Sequence, residues 1–73
     1  MATMKVIELL ANSTKSWEDA VESAVKEASK TLKGITSANV QEQSAVVKNG
    51  KVTEYRVNLK VTFEVKKATK KNK

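Results

Sequence analysis

The side chains of this chain that could do chemistry are carboxylates, amides, hydroxyls, lysine amines and a single arginine, Arg56, because its 73 residues include no histidine and no cysteine. Histidine is the most frequent general base, and cysteine supplies both the thiol nucleophile and the soft metal ligand. Hydroxyls such as those of Ser13, Ser16 and Ser37 therefore have no imidazole to activate them. We predict a protein that binds or assembles and is not an enzyme.

The only arginine lies in the second arm of a predicted hairpin, residues 51–66, in which apolar and polar residues alternate without a break from Glu54 to Val65. Alternating residues point to opposite faces of a strand. The apolar set is Tyr55, Val57, Leu59, Val61, Phe63 and Val65, and the polar set is Glu54, Arg56, Asn58, Lys60, Thr62 and Glu64. The first set is predicted to face the core, which leaves the second set for solvent or a ligand.

A hairpin joins this strand to a preceding one over residues 35–48. The dipeptide Asn49-Gly50 between them is the strongest short hairpin signal, since both central residues of a type I′ turn need a positive φ. With a two-residue loop, the numbers of paired residues sum to 99. That register predicts Gln43 opposite Arg56 on the polar face.

One pair of this register is unfavourable, because it places the Glu42 carboxylate opposite Val57 on the apolar face. A β-bulge in the first arm of the hairpin would insert one extra residue, shift the pairing by one and so move Glu42 away from Val57. We therefore expect either a bulge near Glu42 or a subunit contact that uses its carboxylate.

The polar face of the hairpin admits two interpretations that the residues leave open. Its members are Asn39, Gln41, Gln43, Arg56, Asn58 and Lys60. They can form a ligand cradle, with Gln43, Arg56 and Asn58 among its contacts. They can equally form the solvated face that antiparallel sheets often have.

The elements that precede the hairpin are a strand over Met4–Leu10 and a helix from about Trp17. The helix is predicted from apolar residues that recur at three- and four-residue spacing, namely Trp17, Ala20, Val21, Ala24, Val25, Ala28 and Leu32. Ser16 with Asp19 makes a capping-box-like start, and Gly34 is predicted to supply the C-terminal stop. Trp17 and Tyr55 are expected to pack in the core or at a subunit contact.

The net charge of +6 belongs mainly to the last eight residues, because without their five lysines the charge falls to +1. We predict a single domain over residues 1–65, followed by a Lys-rich disordered tail over 66–73. Nucleic-acid binding would need aromatic residues among the basic ones, so no nucleic-acid partner is expected. No apolar run reaches the roughly 20 residues of a membrane span, and we expect a cytoplasmic protein without a membrane partner.

A chain of this size has a marginal core, and it lacks disulfides and Cys/His metal ligands to stabilise one. The buried positions of the helix are largely alanines, which add little apolar area. Partner copies of the same chain are the remaining source of stability. We therefore predict self-association, and acidic residues brought together between copies are candidates for an oxygen-ligand cation site.

Four segments, in their order and spacing, resemble the dodecins. These segments are Lys5-Val6-Ile7-Glu8-Leu9, Ser16-Trp17-Glu18-Asp19-Ala20, Val40-Gln41-Glu42-Gln43 and the strand from Gly50 to Phe63. The resemblance covers nearly all of the chain except the Lys-rich tail. It implies an α+β fold of β-α-β-β order, with a three-stranded antiparallel sheet wrapped around one helix, assembled as a homododecamer.

The resemblance also implies a function and positions for a ligand site. Dodecins typically bind flavins such as FMN or riboflavin without catalysis, for storage or protection, with an aromatic residue stacked on the flavin ring and a glutamine bonded to it. The stacking aromatic falls on Ser37 and the glutamine on Arg56. Because a stacked ring is worth about 1–3 kcal/mol, its loss predicts flavin affinity lower by about one to two orders of magnitude.

Two functions follow from the resemblance. The first is a non-enzymatic small-ligand binding or storage shell of flavin type, with Ser37, Gln43, Arg56 and Asn58 as candidate ligand residues. The alternative is a structural or cation-binding shell without flavin, since some dodecin-like branches bind calcium. The two replacements at Ser37 and Arg56 are the sequence support for this alternative.

Overall fold

The computed structural model describes Thr3 to Val65. The predicted Lys-rich tail over residues 66–73 lies outside the described residues. The elements are strand β1 (Thr3–Ser13), helix α1 (Trp17–Ala28), strand β2 (Ile35–Lys48) and strand β3 (Lys51–Val65). The predicted order of strand, helix and hairpin is confirmed.

The three strands form one antiparallel sheet in the order β1-β3-β2, with the long alternating strand at its centre. Asn49 and Gly50 have φ values of 52° and 75°, as a type I′ hairpin turn requires. β1 extends to Ser13, three residues beyond the predicted end at Leu10, because Asn12 and Ser13 continue to pair with β3. The α+β architecture predicted through the resemblance is thereby confirmed.

Helix α1 begins where the sequence predicts and ends earlier. The Ser16 hydroxyl accepts a hydrogen bond from the Asp19 amide at 3.0 Å, which caps the first turn. The helix ends at Ala28, and the predicted stop at Gly34 was wrong. The Ser29 hydroxyl donates to the Val25 carbonyl at 2.8 Å, a local side-chain bond that competes with the helical ladder.

The hydrophobic core is small and lies between the sheet and one side of the helix. Its buried residues are Ala20, Val57, Leu59 and Val61. Trp17 packs against this cluster, and its ring meets that of Tyr55 edge to face, with 4.9 Å between the ring centroids. The predicted packing role of both aromatic residues is confirmed.

The described part of the chain is an elongated ribbon. Its extents are 61 × 19 × 13 Å, and its radius of gyration is 15.7 Å, against the about 11 Å expected of a compact domain of this length. Large apolar side chains remain in solvent on both edge strands, including Leu10, which is 81% exposed. None of the helices in the described range is long and apolar enough to cross a membrane.

The predicted hairpin register holds over two stretches of β2 and fails between them, and it also fails at the first residue, where Ile35 pairs with Phe63. Paired residue numbers sum to 99 from Ser37 to Val40 and again at Val47 and Lys48, but to 100 from Glu42 to Val46. The expected bulge near Glu42 is thus present, with Gln41 as the extra residue. The pairing of Gln43 with Arg56 was therefore wrong, since Gln43 pairs with Val57.

Candidate functional site

A cleft of about 350 Å³ lies on the outer face of the sheet, the face turned away from helix α1. Its lining residues come from all three strands: Leu10, Ala11, Asn12, Glu42, Ser44, Arg56, Val57 and Asn58. The strand registers explain why these residues line the cleft, because they align outer-face residues of the three strands in two rows across the sheet. One row is Leu10, Asn58 and Glu42, and the next is Asn12, Arg56 and Ser44.

Asn58 sits at the centre of this cleft, and its side-chain oxygen Oδ1 is buried without a hydrogen-bond partner. Buried polar atoms are nearly always paired, so an orphaned carbonyl oxygen identifies a place where a partner from outside the chain would be favourable. Glu42 is the residue opposite Asn58 in the β2–β3 ladder. The cleft therefore combines an amide oxygen with a carboxylate on neighbouring strands.

Arg56 is the cationic residue of the cleft, and its charge is already engaged by a neighbour. Its Nε lies 3.8 Å from Oε1 of Glu54. The same Glu54 oxygen accepts a hydrogen bond from Nδ2 of Asn12 at 2.8 Å. Both interactions are exposed to solvent and contribute little to stability, but they place the Arg56 guanidinium on the hairpin-turn side of the cleft.

The segment of β2 that carries Glu42 and Ser44 is tied to the start of helix α1. The indole Nε1 of Trp17 donates a hydrogen bond to the Ser44 carbonyl oxygen at 2.9 Å. The Ser44 side chain, on the other face of the strand, lines the cleft. Trp17 therefore contacts this segment from the helix side of the sheet, whereas the cleft lies on the outer face.

Of the four predicted ligand residues, Arg56 and Asn58 line the cleft, whereas Gln43 and Ser37 lie elsewhere. Gln43 lies on the helix side of the sheet and lines a separate groove of about 360 Å³ with Trp17, Glu18, Val21, Glu22 and Val40. The bulge at Gln41 is the reason, because one extra residue exchanges the two faces of the strand that follows.

Ser37 is distant from the cleft within one chain. It pairs with Thr62, which is six residues along β3 from Arg56. Ser37 and Arg56 of one chain are therefore separated by about 20 Å of strand.

Leu10 and Asn12 were not predicted as cleft residues, and Glu42 was singled out only for its unfavourable pairing with Val57. Leu10 and Asn12 line the cleft because β1 pairs with β3. No tight turn connects these two strands, so their register could not be predicted from a turn type. The pairing conflict with Val57 was the signal that Glu42 belonged to the outer face. Among the described residues, no group of three or more His, Cys, Asp and Glu side chains is close enough to hold a metal ion.

The dodecin family model matches residues 3–66. A calcium dodecin of Mycobacterium tuberculosis is 39% identical over 69 residues, which are 93% of this chain and 96% of that protein. Among solved structures, the dodecin from Streptomyces coelicolor is 28% identical, with a TM-score of 0.87 over 92% of this chain and 96% of that one.

The structure of a calcium-chelating M. tuberculosis calcium dodecin is also similar. That protein is described as having a calcium-binding site, and it is 37% identical to this chain. The TM-score is 0.77, with 88% of this chain and 91% of that chain covered.

Proposed function

This chain belongs to the dodecin family, and from that membership we propose that it is a non-enzymatic protein that assembles into a homododecameric shell and binds a hard divalent cation of the calcium class. The cation would be held in the outer-face cleft by Glu42 and Asn58. A bound cation would neutralise the charge of the Glu42 carboxylate and join neighbouring strands or copies, without catalysing a reaction.

The buried, unpartnered Oδ1 of Asn58 opposite Glu42 is the observation that carries this proposal. Calcium selects oxygen ligands, and both amide carbonyls and carboxylates are among those it prefers. The carboxylate of Glu42 supplies the negative charge that a lone amide oxygen lacks. The similarity to a calcium dodecin at 39% identity supports the choice of cation.

Self-assembly is part of the proposal because two protein oxygens do not complete a calcium shell of six to eight ligands. The remaining ligands are water or oxygens of a second copy. The small core, the extended shape and the exposed Leu10 at the edge of the cleft all favour a neighbouring copy at this face.

Calorimetric titration of CaCl2, with MgCl2 in parallel, tests the cation proposal. The unmodified protein should bind Ca²⁺, and Glu42→Gln should weaken binding at least tenfold by removing the charged ligand. Glu8→Gln is the matched control, because Glu8 is an exposed carboxylate of the same face in the row of Lys60, outside the cleft. An equal loss in both variants, or no Ca²⁺ binding by the unmodified protein, would contradict the proposal.

A flavin is the second candidate ligand, and the arrangement around Arg56 favours it. A guanidinium stacks on aromatic rings, and the exposed side chain of Leu10 supplies an apolar wall in the same cleft. The cleft has no aromatic residue in its lining, which is why the flavin ranks second. Quenching of riboflavin or FMN fluorescence by micromolar protein would support the flavin, and unchanged fluorescence would exclude it at that affinity.

A further inference from the structure

The end of the β2–β3 hairpin extends past the rest of the fold. β1 ends opposite Tyr55, so residues 51–54 of β3 have no pairing partner in β1. Helix α1 begins at Trp17, whose ring lies against Tyr55, and the turn that follows the helix lies near Phe63, so the helix runs away from the hairpin turn. Residues 46–54, which we call the hairpin tip, are therefore a two-stranded ribbon, and such a ribbon alone is only marginally stable in water.

The hairpin tip carries two exposed valines on the helix side of the sheet. Val47 pairs with Val52 and follows Ala45, a residue of the helix-side face, by two positions, so both valines lie on that face. Val47 is 60% exposed and Val52 is 49% exposed. Apolar side chains gain free energy when they leave water, so this pair favours contact with an apolar surface of another chain.

The last pair of the hairpin tip before the turn is Lys48 with Lys51. Like charges directly opposite each other destabilise a sheet. Neither lysine forms an ion pair with a residue between Thr3 and Val65. The hairpin tip therefore combines an apolar pair with a cationic pair, and an anionic partner would relieve the repulsion between the two lysines.

The groove that Gln43 lines has the matching composition, and we call it the helix-side groove. Glu18 and Glu22 line it from helix α1, at a four-residue spacing that brings like charges together and destabilises a helix. Neither carboxylate forms an ion pair within the described range. Val21 of the helix and Val40 of β2, which is 42% exposed, add apolar surface to the wall and the floor of the groove.

The helix-side groove is out of reach of the hairpin tip of its own chain. Val40 in the groove and Val47 at the tip belong to the same strand, where their seven positions of separation correspond to about 20 Å. A tip from a second copy that packs on β2 lies about 10 Å above it. It then lies beside helix α1, where flexible lysine side chains reach the carboxylates of Glu18 and Glu22.

We propose that the hairpin tip of one copy docks in the helix-side groove of a second copy, with its two valines against the apolar floor and wall and its two lysines beside Glu18 and Glu22. The contact joins two different surfaces of the chain, so it is heterologous and repeats around a ring in a closed shell. Burial of the valines supplies affinity, and the opposite charges supply specificity. This inference names a contact of the assembly in the proposed function and rests on it.

Engineered cysteines test the contact directly, because the chain has no native cysteine. Val40→Cys with Val47→Cys places one thiol in the groove and one at the tip, and their distance along the strand prevents an intrachain disulfide. Oxidation followed by non-reducing electrophoresis should give covalent oligomers. Val6→Cys with Val47→Cys is the matched control, because Val6 is more exposed than Val40 but lies on the outer face of β1. The control pair should crosslink about tenfold more slowly, since its thiols do not meet.

Charge reversal is a second test, which still decides if the cysteine variants do not fold. Lys48→Glu with Lys51→Glu, and separately Glu18→Lys with Glu22→Lys, should each raise the concentration at which half of the assembly dissociates by about tenfold, with a smaller effect at high salt. Combining all four substitutions should restore assembly, because the two pairs exchange their signs. A combined variant that does not recover would overturn the inference.

Light scattering on the unmodified protein separates failure of the contact from failure of the proposed function. A monomer would refute the assembly and the contact together. An assembled protein whose 40/47 pair crosslinks no faster than its 6/47 pair would refute the contact alone, because the hairpin tip of a second copy then does not occupy the groove.

Discussion

The buried oxygen of Asn58 carries an energetic cost that only a partner outside the described chain relieves. An unsatisfied buried polar group costs about 1–3 kcal/mol. A binding site with such an atom has a lower free energy of unfolding when it is empty and a higher affinity for a ligand that pairs with the atom. Only the structure identifies the atom, because its burial depends on the residues packed around it.

Asn58→Leu is expected to raise the free energy of unfolding in calcium-free buffer by about 1–3 kcal/mol, because it removes the orphaned oxygen and adds apolar contact. Urea denaturation at a fixed protein concentration measures the change. The same variant should lose the stabilisation that CaCl2 gives to the unmodified protein. Asn39→Leu is the control and should change the free energy of unfolding little, because Asn39 is an exposed asparagine of β2 on the same outer face of the sheet.

The family resemblance assigns the flavin contacts to positions 37 and 56, which lie apart in one chain. Ser37→Trp with Arg56→Gln is expected to strengthen flavin binding by about ten- to a hundredfold, since it supplies a stacking ring and an amide. Flavin fluorescence quenching measures the gain, with Ser37→Leu as the control for bulk without a π face. A double variant that assembles normally and stays silent would show that these positions do not form the site.

Among the elements, helix α1 owes its start to local bonds. Ser16→Ala removes the cap on the Asp19 amide and is expected to lower the free energy of unfolding by about 1 kcal/mol. The midpoint of urea denaturation reports this loss. Ser23→Ala, in the exposed middle of the same helix, should be neutral or slightly stabilising, and an equal loss in both variants would argue against the capping role.

Two glycines with positive φ allow a comparison between backbone strain and lack of space. Gly50→Ala at the hairpin turn meets no atom within 4 Å, so it should cost about 1–2 kcal/mol for the left-handed backbone alone. Gly34→Ala, at φ 79°, would also bring its Cβ to 3.3 Å from the Glu64 carbonyl oxygen. Thermal denaturation should therefore show the larger loss for Gly34→Ala, and the reverse order would refute this account.

For the whole molecule, the ribbon shape means that much of the sheet has no cover from its own chain. Light scattering on the size-exclusion peak should give about 96 kDa for twelve copies of an 8.0 kDa chain. Leu10→Glu places a charge at the most exposed of the large apolar side chains between Thr3 and Val65 and should shift the peak toward smaller species. A stable 8.0 kDa monomer of the unmodified protein would contradict the proposed shell.

The sequence alone determined the features that depend on neighbouring residues. Asn49-Gly50 predicted the turn because few other pairs accept two positive φ values, and Ser16 predicted the helix start through a bond to a residue three positions away. The unbroken alternation of β3 from Glu54 to Val65 predicted which of its faces lies against the core. The order of elements and the family resemblance followed from these local signals.

The tertiary structure alone decided which residues share the cleft. The pairing of β1 with β3 brings Leu10 and Asn12 to the site, and a chain-distant register of this kind leaves no mark in local sequence. The bulge at Gln41 sends Glu42 to the cleft and Gln43 to the helix side. The position of this bulge is a feature of the pairing between β2 and β3, which exists only once the two strands have come together in the sheet.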